Sequence, residues 1–276
     1  MMSLLSTMLF RLRRSKSFWC LMAFEAVAGL ILPILNYRNN RRYLQEIPLD
    51  SNSFAFVTFM VVLSAVLASL FLGTEHSDGA IRNKIIVGNR RHQIYLANLS
   101  AVYLGSLLLC ACFLVPYLAV GIPLLGFYQT EISVILLNLL TAAVLMLAVT
   151  SIYTALTMLN QNKAIVVAVC ILLSFAILMV GAYINAALTA PEFLDGVSID
   201  QATGVLQQEV IPNPRYLRGT MRKVFEFFYD FLPGGQAIQL SSMEVAAPWR
   251  LMAYSLAISL VSSTVAVFFF RRKDLK

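Results

Sequence analysis

Polar and apolar positions in this chain segregate on the scale of whole helices. Runs of about twenty predominantly apolar residues, long enough to cross the hydrocarbon core of a bilayer as a helix, cover 18–35, 54–72, 95–118, 133–156, 164–187 and 250–270. The pattern predicts an all-α integral membrane protein with six transmembrane helices in a single domain over 1–276.

Two shorter patterns lie outside these runs. In "MMSLLSTMLFRLRRSKS", Leu5, Met8, Leu9 and Leu12 recur at helical spacing opposite a basic face, which predicts an interfacial helix over 1–17. The same start resembles a signal peptide leading to "AVAG", but Glu25 interrupts the apolar core that such a signal requires. Between the fifth and sixth runs, 189–247 is a long polar segment. Within it Leu217, Met221, Val224, Phe225, Phe228, Phe231 and Leu232 recur at three- and four-residue spacing, after Pro212 and Pro214 and before "PGG" from Pro233. This predicts one amphipathic helix with defined ends, capping the mouth of the spans or lying on the outer leaflet.

Composition agrees with the pattern. Apolar residues make up 59% and charged residues 13%, with mean hydropathy +0.76, whereas soluble domains carry about a quarter charged residues. The net charge of +7 is concentrated at the ends of the apolar runs, as topology determinants and headgroup anchors are, so no nucleic-acid partner is expected. Six spans put both termini on one side. If that side is cytoplasmic it holds Arg11, Arg13, Arg14, Lys16, Arg82, Lys84, Arg90, Arg91, Lys163, Arg271, Arg272, Lys273 and Lys276, thirteen of the 21 Lys and Arg. The positive-inside rule therefore places both termini in the cytoplasm and 189–247 outside. Arg38, Arg41 and Arg42, in the first outer loop, run against the rule.

Cys20, Cys110, Cys112 and Cys170 all fall in apolar runs, and no His lies near Cys110 and Cys112 to complete a metal site. They read as buried small hydrophobes, with no disulfide and no metal.

The stretch "FLGTEHSDGAIRNKIIVGNRRHQIYLANL" separates the second and third spans. Ser77 or Asp78 can cap a helix of about ten residues that Gly88 stops, with Ile81, Ile85 and Ala80 on one face and Arg82 and Lys84 on another. It reads either as a loop that sets topology or as a docking element.

Inside the spans, Glu25 stands alone among apolar neighbours. A carboxyl at that depth is costly, and it marks either a group facing a substrate path or a structural polar contact. Asn138 and Asn185 read as hydrogen-bonding residues between helices. Phe54, Phe56 and Phe59 suit an apolar pathway and ordinary lipid contact equally.

"GTEHSDGAIRNKIIVGNRRHQIYLANL", together with "NPRYLRGTMRKVFEFFYDFLPGGQAIQ" from Asn213 to Gln239, resembles the permease subunits of ATP-binding-cassette exporters of the second type. The resemblance extends to the order of elements: N-terminal helix, six spans, a cytoplasmic helix between spans two and three, and an outer hairpin-like insertion between spans five and six. In that family the segment matching Glu75 to Arg91 is the coupling helix, which sits in a groove of the ATPase subunit. The resemblance implies that Glu75, His76, Asp78, Arg82 and Lys84 face the ATPase. It also implies that two copies, or one copy and a homologous permease, bind two ATPase subunits.

The sequence has no G-x-x-x-x-G-K-[ST] phosphate loop. ATP and Mg are therefore expected on the partner ATPase, with no cofactor bound by this chain and no enzymatic activity of its own. The outer helix most resembles bacterial permeases of the cytoplasmic membrane that export amphipathic peptides, such as phenol-soluble-modulin toxins, or that protect against lantibiotics. Glu25 and Phe56 are the candidates for the substrate path. The alternatives are export of a hydrophobic drug or antibiotic and an ion-coupled secondary carrier, which would place several acids or broken helices at the midplane. An intramembrane metalloprotease needs His and Glu together within spans, whereas His76 and His92 share one polar stretch.

Overall fold

The computed structural model describes residues 2–44, 46–199 and 206–272. Lys273, Lys276 and Asp200 lie outside the described residues, as do the side chains of His76 and Asp195.

The apolar runs become helices long and apolar enough to cross a membrane: α2 (Lys16–Tyr43), α3 (Phe56–Ser77), α5 (Arg91–Leu125), α6 (Ile132–Leu159), α7 (Lys163–Leu188) and α10 (Pro248–Arg272). These are the six expected spans, each extending beyond its apolar run at one or both ends. At 35 residues α5 is about 50 Å long, well beyond the hydrocarbon thickness. It keeps its helix through Pro116 and Pro123.

The apolar stripe of α1 (Met2–Arg14) is Leu4, Met8 and Leu12, flanked by Leu5 and Leu9. In the fold these three side chains join the main core, and Leu12 packs against Gly105 of α5.

Helix α3 is the centre of the bundle, touching α2, α5, α6 and α7. Its side chains are buried on almost every side, from Phe56, Val57, Met60 and Val61 to Phe71 and Leu72. The most extensive pairings around it are α6 with α10 and α2 with α5. The first is fastened by a hydrogen bond of 2.7 Å between the Ser151 and Ser262 hydroxyls. Such bonds matter in a bilayer because lipid offers no competing partner. The four cysteines are free, but only Cys110 and Cys170 are buried, Cys112 is half-buried and Cys20 is exposed. The apolar surroundings read from sequence did not separate core from lipid-facing positions.

Between α7 and α10 the chain forms a two-stranded antiparallel hairpin, β1 (Phe193–Ile199) and β2 (Leu206–Pro212), with Phe193 opposite Pro212. It is followed by α8 (Gly219–Phe231) and α9 (Pro233–Ser241). The amphipathic helix expected before "PGG" is α8, and α9 is a second helix that the pattern did not predict. At Leu232 the backbone turns extended, with ψ 135°, so α8 ends before "PGG" as expected, and the same Pro233 opens α9. Proline suits a first helical turn because its missing N–H has no intrahelical acceptor there. Gly234 and Gly181 face each other where α9 crosses α7, and a Cβ on Gly234 would overlap the Ile177 carbonyl oxygen.

A buried polar network holds this end together. Gln236 Nε2 donates to the Asp230 carbonyl at 2.7 Å, Ser255 Oγ donates to Gln236 Oε1 at 2.6 Å, and Arg250 pairs with Asp230. Tyr229 Oη donates to Asn185 Oδ1 at 2.8 Å, so Asn185 makes the inter-helix bond expected of it, toward α8. Burial, aided by Glu244 and Asp230, pushes the Tyr229 phenol up to about 12.

Candidate functional site

The polar stretch between spans two and three folds at the end of the bundle that also carries α1 and the last turn of α10. Helix α3 runs to Ser77, so Ser77 lies inside a span helix and caps nothing. The chain turns at Asp78 and Gly79, where Gly79 adopts φ +65°, and α4 (Ala80–Ile86) follows. No side chain caps α4, and Gly79 occupies the cap position that Ser77 or Asp78 was expected to fill. Gly88, at φ +94°, ends the element as expected, since glycine enters the left-handed region without a Cβ clash.

A helix of seven residues has little intrinsic stability, so α4 is held by what it touches. Ile81 is buried among Ile94, Tyr95 and Leu99 of α5, Met158 of α6 and Phe270 of α10, with Ile85 packed beside it. The second anchor is electrostatic. Glu75, in the last turns of α3, is fully buried and accepts from Arg11 Nη1 of α1 at 2.6 Å and from Lys84 Nζ of α4 at 2.8 Å to both oxygens. Lys84 Nζ also lies 3.0 Å from Met8 Sδ, and Arg11 reaches Asp78 at 3.9 Å. One carboxylate therefore ties together α1, α3 and α4. With its partners mostly shielded from water, it is the kind of ion pair whose rupture is expensive.

The predicted residues thus divide. Glu75 has no exposed surface and the Lys84 side chain only 12%, so as folded these two brace α4 from behind and do not present themselves to a partner. Asp78 and Arg82 are exposed. His76 lies in the last turn of α3. Beside Arg82 and Asn83, the sequence reading missed Ile86 and Val87, which are 73% and 81% exposed. The signal that could have found them is the run "KIIVG", which carries two more apolar residues than one face of a short helix can bury. Farther on, Arg91 Nη1 donates to the Phe270 carbonyl at 2.8 Å, joining the start of α5 to the end of α10.

The family model for ABC-2 family transporter proteins matches residues 4–179. The chain belongs to the ABC-2 transporter family. No curated protein matches the chain as a close relative. The matched part runs from α1 into α7 and includes the whole Arg11–Glu75–Lys84 clamp and α4. As an ABC-2 protein the chain is the membrane subunit of an ABC transporter, distinct from the ATPase and working with ATPase subunits.

The two residues expected on a substrate path are both inside the ABC-2 bundle. Phe56 is 1% exposed and belongs to a ladder of rings, with centroids 5.8 Å from Phe54 and 5.6 Å from Phe113, which stacks at 5.5 Å on Tyr117. That ladder is packing between α3 and α5, and of Phe54, Phe56 and Phe59 only Phe59 is exposed, at 37%. Glu25 is fully buried on α2, and neither carboxyl oxygen has a hydrogen-bond partner. Among the described residues no three His, Cys, Asp or Glu gather where they could hold a metal ion.

Proposed function

We propose that this chain is the membrane-spanning half of an ATP-driven exporter of amphipathic or hydrophobic peptides, with α4 as the element that engages the ATPase. The observation that carries the reading is the clamp on Glu75, which makes α1, α3 and α4 a single mechanical unit. The exposed face of that unit, Asp78, Arg82, Asn83, Ile86 and Val87, combines an apolar tip with flanking charge, the composition of a docking patch. Two such subunits, identical or homologous, pair around a central path and each takes one ATPase, which holds ATP and Mg.

ATP binding draws the two ATPases together and displaces α4. The displacement passes through Glu75 into α3, which touches α2, α5, α6 and α7, and by the short Val87–Arg90 connection into α5. A loop would absorb such a movement, whereas a braced helix transmits it. Both termini and α4 are on the cytoplasmic face of the bacterial membrane in this reading.

Arg82→Glu with Ile86→Asp is expected to reduce co-purification of the ATPase at least tenfold while leaving the melting temperature of the membrane subunit unchanged, because both side chains are exposed. Full retention of the complex would exclude α4 as the docking element. A cysteine introduced at the exposed Asn83 is expected to resist an impermeant maleimide added to intact cells and to react once the membrane is opened; labelling from outside would reverse the topology.

A further inference from the structure

We infer that the far end of α2 is a binding site for the phosphate-bearing headgroup of an anionic phospholipid, built from Arg38, Arg41 and Arg42. These residues, at the end of α2 remote from α1, share its last turns at three- and four-residue spacing, so their charges lie on neighbouring surface. Among the described residues none of the three makes an ion pair. Glu46 lines an adjoining concavity with Arg41 and makes no ion pair among the described residues. Three like charges within two turns repel one another unless an anion is present.

The site has a shape as well as a charge. Leu35, Tyr37, Arg38, Asn39, Arg41 and Arg42 line an open concavity of about 380 Å³. Arg41 stacks 5.3 Å from the Tyr37 ring centroid with Nε donating to its hydroxyl at 3.1 Å, and Arg42 stacks 5.5 Å from the Tyr43 ring. These contacts hold the two guanidinium groups over the rings and leave their Nη donors without a partner among the described residues, the paired donors that receive phosphate oxygens two at a time. Immediately below, Ile34 and Leu35 are exposed at 42% and 43%, so the concavity sits above surface suited to acyl chains and at the depth where headgroups begin. A membrane lipid therefore matches both halves of the site, whereas a soluble anion would use only the upper half. The same residues depart from the positive-inside rule, and a headgroup site explains why arginines are kept there.

The test uses the full chain in nanodiscs of phosphatidylcholine with a minority of phosphatidylglycerol, with bound lipid counted by native mass spectrometry after extraction. The wild type is expected to retain phosphatidylglycerol in preference to phosphatidylcholine. Arg38→Gln is expected to weaken that retention about fivefold and the triple change to Gln about a hundredfold. Arg38 has no partner among the described residues to lose on substitution, so the single variant remains informative if the triple one does not fold. Equal retention by wild type and Arg38→Gln, or equal retention of the two lipids, would overturn the proposal. Displacement of phosphatidylglycerol by millimolar inorganic phosphate would reassign the site to a soluble anion, and displacement by an acidic peptide would make it a peptide site; either result also overturns it. None of these outcomes depends on the ATPase.

Discussion

Glu75→Ala is expected to cost about 3 kcal/mol of stability and to uncouple the transporter. The carboxylate is fully buried and pairs with both Arg11 and Lys84, and removing one member of a buried ionic cluster leaves the others uncompensated. The melting temperature of the purified subunit should fall by several degrees. If α4 is the coupling element, complexes that survive should hydrolyse ATP without moving substrate, because α4 would shift without carrying α3. The triple change Arg11→Met, Glu75→Met, Lys84→Met separates the two effects. Apolar groups of similar length restore stability where a whole ionic cluster is replaced, so the melting temperature should recover. Coupling should recover too if mechanical connection is what matters. An unaltered melting temperature for Glu75→Ala would mean that the clamp does not hold the three helices.

Gly234→Val is expected to abolish stable folding. At Gly234 the backbone of α9 lies against the Ile177 carbonyl of α7, and the clash arises at Cβ itself, so no rotamer relieves it. Overpacking of a tight crossing typically costs about 1–3 kcal/mol and more where backbone meets backbone. Displacing α9 would also break the Gln236 contacts to Asp230 and Ser255. Monodisperse yield by size exclusion should drop to near zero for Gly234→Val and be reduced for Gly234→Ala. Wild-type yield and melting for the valine variant would show that α9 is free to move away from α7.

The burial of Phe56 shows where a one-dimensional reading stops. An apolar ring in a span faces lipid, a path or a neighbouring helix, and the three have the same sequence signature. Only the packing of α3 at the centre of the bundle assigns Phe56 to the core and leaves Phe59 at the surface. Glu25 is similar: its rarity in a span was legible, and the lack of a hydrogen-bond partner for either carboxyl oxygen was not.

What the sequence determined by itself is everything that rests on local periodicity and length. Twenty apolar residues in a row have few alternatives to a membrane helix, because lipid leaves backbone groups no partner outside their own segment. The six spans followed from that; helical spacing gave Met8 and Leu12 on α1 but not Leu4, and Gly88 marked the end of α4. Features made by residues distant in the chain came from packing alone. Arg11 and Glu75 are 64 positions apart, so a carboxylate in a polar stretch looked like a surface group until α1 folded against it. That a second helix starts at "PGG" was settled by packing, where Gly181 of α7 lets α9 cross closely. Local pattern sets which segments are helical, and the desolvation of particular side chains by distant neighbours sets which are exposed for function.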